Sequence, residues 1–228
     1  MTENTDKCIA LMNSLGYNRT EVIPMIERAK KYLVSLLGND ASGHDHHHVF
    51  RVLKIAEAIA EEESKNIPMD MEVVRLMALL HDVDDRKISP QTADNLDNAR
   101  AFLLENRVPD DKAEIILEGI ANLSYKGTGS TVPASAEGKC VQDADRLDAL
   151  GAVGIARTFA FGGSRGRPIY IPEDPEGNSG HSIAHFYEKL LRLKGLMNTE
   201  AGRRMAEHRH AFMEQFLEEF YGEWNGKT

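Results

Sequence analysis

Apolar side chains recur at three- and four-residue spacing along most of the chain. From His46 to Glu63 the stripe is Val49, Val52, Leu53, Ala56, Ile59 and Ala60, which predicts an amphipathic helix lying on a core. Residues 71–83, MEVVRLMALLHDV, are apolar after Glu72 except for Arg75, His81 and Asp82, and predict a central buried helix. The same reading predicts helices at about 21–37, 92–105, 110–124, 144–160, 182–195 and 199–222. The last carries Met205, Phe212, Phe216, Phe220 and Tyr221 on one side, a face that suits either the core or a homodimer contact. Thr199 gives it an imperfect start, because a capping box wants Glu or Gln where Gly202 stands. No run of alternating β-branched residues is long enough for a strand. Gly-, Pro- and Ser-rich stretches at 125–137 and 162–181 predict two long loops, the second of a length often found in lids and binding loops. The expected fold class is all-α, a single domain over 1–228.

Composition narrows the function classes. Apolar residues make up 42% and charged residues 28%, the balance of a globular protein, and 228 residues suffice for one good core without forcing two domains. No apolar run approaches the ~18 residues of a membrane span, and the opening MTENTDKCIALMNSLG reads as no secretory signal. Cys8 and Cys140 are far apart and outside any CxxC pattern, so the expected setting is cytoplasmic. A net charge of −9 argues against a nucleic-acid partner, which wants a basic face, and against no small phosphorylated substrate, since a few local Arg and Lys can hold one.

Three segments carry candidate chemistry. GHDHHHVFRV at 43–52 leads into the first amphipathic helix. At 100° per residue His47 falls opposite the apolar stripe and faces water, while His46 and His48 lie on its two edges, and periodicity does not choose between them. In HDVDD at 81–85 the first two residues end an otherwise apolar helix, and Asp is almost never buried without a partner or a metal. Asp82, Asp84 and Asp85 crowd three carboxylates into four positions, a repulsion that a divalent cation relieves. The alternative is a helix end opening into an acidic loop; His44–Asp45 shows that the dipeptide alone says little. In QDADRLDALGAVGIA at 142–156, Asp145 and Asp148 stand one turn apart on one helical face, followed by small residues that allow close helix approach. The alternative there is that Asp143 or Asp145 caps a helix N-terminus. Two imidazoles and two carboxylates suit a divalent ion, and Mn, Fe, Co, Ni, Mg and Zn are not distinguished.

The order H…HD…D resembles the HD-domain metal-dependent phosphohydrolases. His48-Val49-Phe50-Arg51-Val52 matches the family's first-His segment, His81-Asp82 its paired ligands and Ala144-Asp145 its last ligand. The resemblance selects His48 over His46. It implies a compact multi-helix fold with the HD core at about 40–150 and a helical part at 151–228, and one metal ion on His48, His81, Asp82 and Asp145. An acid three residues beyond the metal-binding Asp often handles the water in that family; here it is Asp85. Relatives with two metals add histidines after the HD pair; none occurs between His81 and Asp145, and His181, His185, His208 and His210 come too late. GHDHHHVFRV, ALLHDVDDRK, NLSYKG, VQDADRLDALGAVGIARTFAFGG and HFYEKLLRLKGLMNT also resemble a bacterial subgroup of deoxynucleoside triphosphate pyrophosphohydrolases. That implies a nucleotide substrate cleaved to monophosphate and pyrophosphate.

Arg51 and Lys126, both within matched motifs, are the expected phosphate contacts; Arg86, Lys87, Arg146, Arg165 and Arg167 are further candidates, and His185 and Lys189 share a helix face that could border the pocket. Other readings of the same residues are a monophosphatase or other phosphoester hydrolase, a regulatory module that binds metal or nucleotide without turnover, and an iron oxygenase. Asp85 speaks against the module, and the missing second-metal histidines against the oxygenase.

Overall fold

The computed structural model describes residues 24–37, 46–86, 89–124, 131–174 and 180–227. Every element among them is helical: α1 Met25–Leu37, α2 His46–Glu63, α3 Met71–Leu80, α4 Asp97–Glu105, α5 Asp110–Leu123, α6 Ala136–Asp148, α7 Gly151–Ser164, α8 Ala184–Glu188, a 3-10 turn Leu190–Leu196, and α9 Glu200–Trp224. None of these helices is long and apolar enough to cross a membrane.

α3 lies at the centre, packed against α1, α2, α5 and α6. Its composition explains the position, because Leu76, Met77, Leu79 and Leu80 are all fully buried and only an element enclosed on several sides can be apolar all round. Asp70 starts α3 by accepting from the Glu72 and Val73 amides, satisfying two of the donors a helix start leaves open. The stripe Val49 to Ala60 of α2 is buried as its spacing predicts, against α3 and α6. α9 runs across α7, α6 and α2.

Three expectations change. The apolar pattern of 71–83 ends as a helix at Leu80, and residues 81–84 form turns. The stretch 182–195 divides into α8 and the 3-10 turn. The helix expected at 144–160 is two helices: α6 begins at Ala136, inside the first expected loop, capped by Ser135 Oγ on the Gly138 amide, and stops at Asp148. Asp143 and Asp145 therefore lie in its second half and do not cap its N-terminus. Leu150 is extended and Gly151 has φ +72°, a left-handed conformation natural to glycine. α7 then starts so close to the break that a Cβ at Gly154 would stand 2.2 Å from the Ala149 carbonyl oxygen. Arg209 of α9 secures the end of α6 by donating to Leu147 O at 2.5 Å.

The start of α9 is better made than the capping-box pattern suggests. Thr199 Oγ1 accepts from the Gly202 amide, and a Cβ at 202 would stand 2.4 Å from Asp143 Oδ2. Asp143 fills the space a capping glutamate would need.

Candidate metal centre

Three elements bring the expected donors together. His48 comes from the first turn of α2, His81 and Asp82 from the turn that closes α3, and Asp145 from α6. His48 Nε2 lies 3.4 Å from His81 Nε2, 3.4 Å from Asp82 Oδ2 and 3.4 Å from Asp145 Oδ1. His81 Nε2 lies 3.4 Å from Asp82 Oδ1 and 3.9 Å from Asp145 Oδ1. Donors about 2.1 Å from a common ion at angles of 90–110° stand roughly 3.0–3.4 Å apart, so the spacing of His48, His81 and Asp82 fits one divalent cation, with Asp145 at its edge, 3.9 Å from His81.

The ring orientations fit as well. His81 Nδ1 donates to Ala78 O at 2.8 Å, and His48 Nδ1 donates to Asp148 Oδ2 at 2.7 Å. Neither acceptor can donate in return, so in the neutral imidazoles both Nε2 atoms present lone pairs. Two lone pairs facing each other at 3.4 Å repel, and either a cation between them or a proton on one ring relieves this. The local field provides for either: burial pulls the His48 pKa down, but hydrogen bonds to Asp145 and Asp148 and the charges of Asp145 and Asp82 outweigh it and push it up to about 9. For Asp145, burial works toward a higher pKa; its bond to His48 and the charges of both imidazoles hold it below the usual range.

Asp148 was legible as a neighbour of Asp145 on one face, but not as the hub it is. Its carboxylate, 1–2% exposed, takes His48 Nδ1, Arg51 Nε at 2.7 Å, Arg51 NH2 at 3.0 Å and Arg157 NH1 at 2.5 Å. This is the carboxylate–histidine pairing that orients a metal-binding ring and makes it more basic. Arg157 NH1 also stands 3.3 Å from His48 Nδ1; both are donors, so they share Asp148 Oδ2 rather than bond to each other. Arg157 escaped the sequence reading altogether.

The acidic turn divides by role. Both oxygens of buried Asp84 accept from amides in the first turn of α4, Asn98 N at 3.1 Å and Ala99 N at 2.9 Å, so this carboxylate holds the start of that helix. Asp85, with Asp84 beside it, lines a cleft of about 1040 Å³ whose wall includes His81 and Asp82.

The remaining candidates separate clearly. His47 is exposed, as its phase predicts, with its ring centroid 4.1 Å from that of His46 and tilted by 40°. Arg86 is exposed and paired with Asp94. Arg146 is buried and donates to Leu196 O, a structural role. Arg165 and Arg167 flank the Phe161 ring, and His185 and Lys189 line a second cavity with Arg157. His181 is buried, bonded to Asp174 O and to the Ala184 amide; His210 is buried near Glu214, and His208 is exposed. Lys126 and Lys87 lie outside the described residues.

Residues 46–150 match the family model described as HD domain. The chain is 40% identical over 193 residues to YpgQ of Bacillus subtilis (strain 168), covering 84% of this chain and 89% of that protein. Among solved structures it is similar to an HD-superfamily hydrolase from Bacillus thuringiensis, with 44% identity, a TM-score of 0.72, and 88% of this chain and 96% of that one covered. The structure of B. subtilis YpgQ in complex with ADP matches with 35% identity, a TM-score of 0.72, and 89% and 100% of the two chains covered.

Proposed function

The chain belongs to the HD superfamily of hydrolases, and from that membership we propose that it is a metal-dependent phosphohydrolase acting on nucleotides. The observation that carries this reading is the grouping of His48, His81 and Asp82, with Asp145 3.4 and 3.9 Å from the two imidazoles, beside a cleft whose wall holds His81, Asp82 and Asp85. Those four side chains would hold one divalent ion. Bound there, the ion supplies positive charge against phosphoryl oxygens and acidifies water.

In this reading Asp85 orients the water and accepts its proton. Asp148 keeps the His48 ring fixed with Nε2 turned inward. Arg51 serves the site first through Asp148, and a phosphate that reaches it shares the guanidinium with that carboxylate. Lys126 belongs to the same proposal as a second phosphate contact.

The nucleotide assignment draws on the ADP complex of YpgQ, on the cleft volume of about 1040 Å³, which is ample for a nucleoside, and on the subgroup motifs. Cleavage to monophosphate and pyrophosphate is the reaction proposed, in a cytoplasmic setting. The test is product analysis with Mn²⁺ and a deoxynucleoside triphosphate, against the same assay with chelator. Pyrophosphate with monophosphate is expected. Inorganic phosphate as first product, or turnover of monophosphates only, moves the chain to another reaction on the same centre.

A further inference from the structure

A second cavity of about 200 Å³ lies between α7 and the α8 segment. It shares no lining residue with the cleft that holds Asp85. Among the described residues its wall contains Arg157, Arg167, His185 and Lys189 and no carboxylate. In a chain of net charge −9 that local balance is the reverse of the average. The large cleft, by contrast, is lined by six carboxylates and two arginines.

The basic wall is built by backbone, not left to chance. Gly162 lets the end of α7 settle against α8, since a Cβ there would stand 2.2 Å from Ser182 Oγ. Past it the chain turns through Gly166, at φ +66°, and Arg167 N bonds back to Gly162 O at 2.9 Å. That turn returns the Arg167 side chain over the Phe161 ring, 5.5 Å from its centroid. On the other wall, His185 and Lys189 are one turn apart, and the Lys189 amide bonds to His185 O at 3.1 Å. Arg157 connects the cavity to the centre, with NH1 2.5 Å from Asp148 Oδ2 and 3.3 Å from His48 Nδ1.

Several cations around a small cavity, with Ser182 also in its lining, match the charge and acceptor pattern of linked phosphates. We propose that this cavity binds a phosphate-chain anion: the pyrophosphoryl end of a nucleotide substrate, or free pyrophosphate. The first source rests on the nucleotide reading given above; the second does not.

The test is calorimetric titration of the metal-loaded chain with inorganic pyrophosphate. The Arg167→Ala, Lys189→Ala double variant removes two cations of the cavity wall, neither of them among the four proposed metal ligands. Loss of charge-assisted contacts predicts binding weaker by about tenfold or more, with metal content unchanged. A charge-preserving Arg167→Lys, Lys189→Arg variant retains affinity within about threefold. If the alanine variant binds within about threefold of the parent, the cavity is no anion site and the proposal falls. KM for a deoxynucleoside triphosphate then separates the sources: a parallel rise assigns the cavity to the substrate's own phosphates, and an unchanged KM assigns it to a separate pyrophosphate. A chain that hydrolyses no nucleotide but loses pyrophosphate affinity in the alanine variant upholds the cavity and removes the nucleotide reading alone.

Discussion

Asp148 Oδ2 stands 2.7 Å from His48 Nδ1 and joins the last residue of α6 to the first turn of α2. Through that one carboxylate the ring of a candidate ligand is tied to Arg51 and Arg157. Asp148→Asn keeps the shape, loses the charge and weakens the hold on ring and guanidinium groups together. Metal affinity is expected to fall about 10- to 100-fold, as read by chelator competition. Unchanged affinity would reduce Asp148 to a packing residue.

Removing the donors has a sharper outcome. A His81→Ala, Asp82→Ala double variant is expected to retain no stoichiometric metal by elemental analysis and to have no turnover. His47→Ala, whose side chain is exposed, should match the parent in both. Full metal occupancy in the double variant would refute the centre.

Asp85→Asn separates metal binding from catalysis. An amide cannot accept the proton of the attacking water, so kcat is expected to fall by about 10²–10⁴ with metal content intact. Turnover equal to the parent would make Asp85 an acidic loop residue and nothing more.

Asp143 predicts stability rather than activity. Its buried carboxylate accepts from the Asn198 amide, Asn198 Nδ2, the Thr199 amide and Thr199 Oγ1, at 2.7–3.0 Å, tying α6 to the start of α9. Asp143→Ala leaves several buried donors without partners and should cost about 3 kcal/mol, measured by urea denaturation. A loss below about 1 kcal/mol would show that water replaces the carboxylate.

The Asp70 cap adds a pH dependence. Burial pushes its pKa up, but the Lys112 hydrogen bond and the Val73 and Glu72 amides outweigh this and hold it below the usual carboxylate value. A folded pKa below the unfolded one stabilises the fold above pH ~4 and ceases to do so as pH falls through the folded value. Asp70→Ala should therefore cost about 1 kcal/mol at pH 7 and progressively less below pH 4, in parallel denaturation series. An equal cost at pH 7 and pH 3 would remove the carboxylate from the account.

His81 and Asp82 stood out because burial of charge is a strong signal: they close an apolar helix, and only a partner or a cation makes that tolerable, whereas His48 and Asp145 were singled out by the family resemblance. The helical phase of His47 was equally readable. Arg157 was not, and the reason is geometric. On one continuous helix from 144 to 160, nine residues separate Asp148 from Arg157, about 900° of rotation, which puts them on opposite faces. Only the break at Ala149 and Leu150 lets Arg157 return to Asp148. Its sequence signal was the glycine pair 151 and 154, which read as small-residue packing rather than as a chain reversal. Likewise, the role of Asp84 as the acceptor for α4 depends on a contact across fourteen and fifteen residues that no local pattern contains.

That reversal makes chain length a functional quantity. Gly154 sets where α7 begins, because only a residue without Cβ fits against the Ala149 carbonyl, and Arg157 follows three positions later. One residue added between them swings the guanidinium by about 100° and disconnects it from Asp148 without altering a single donor. In this segment the count of residues carries information that their identities do not, and a deletion or insertion there should do more harm than most substitutions.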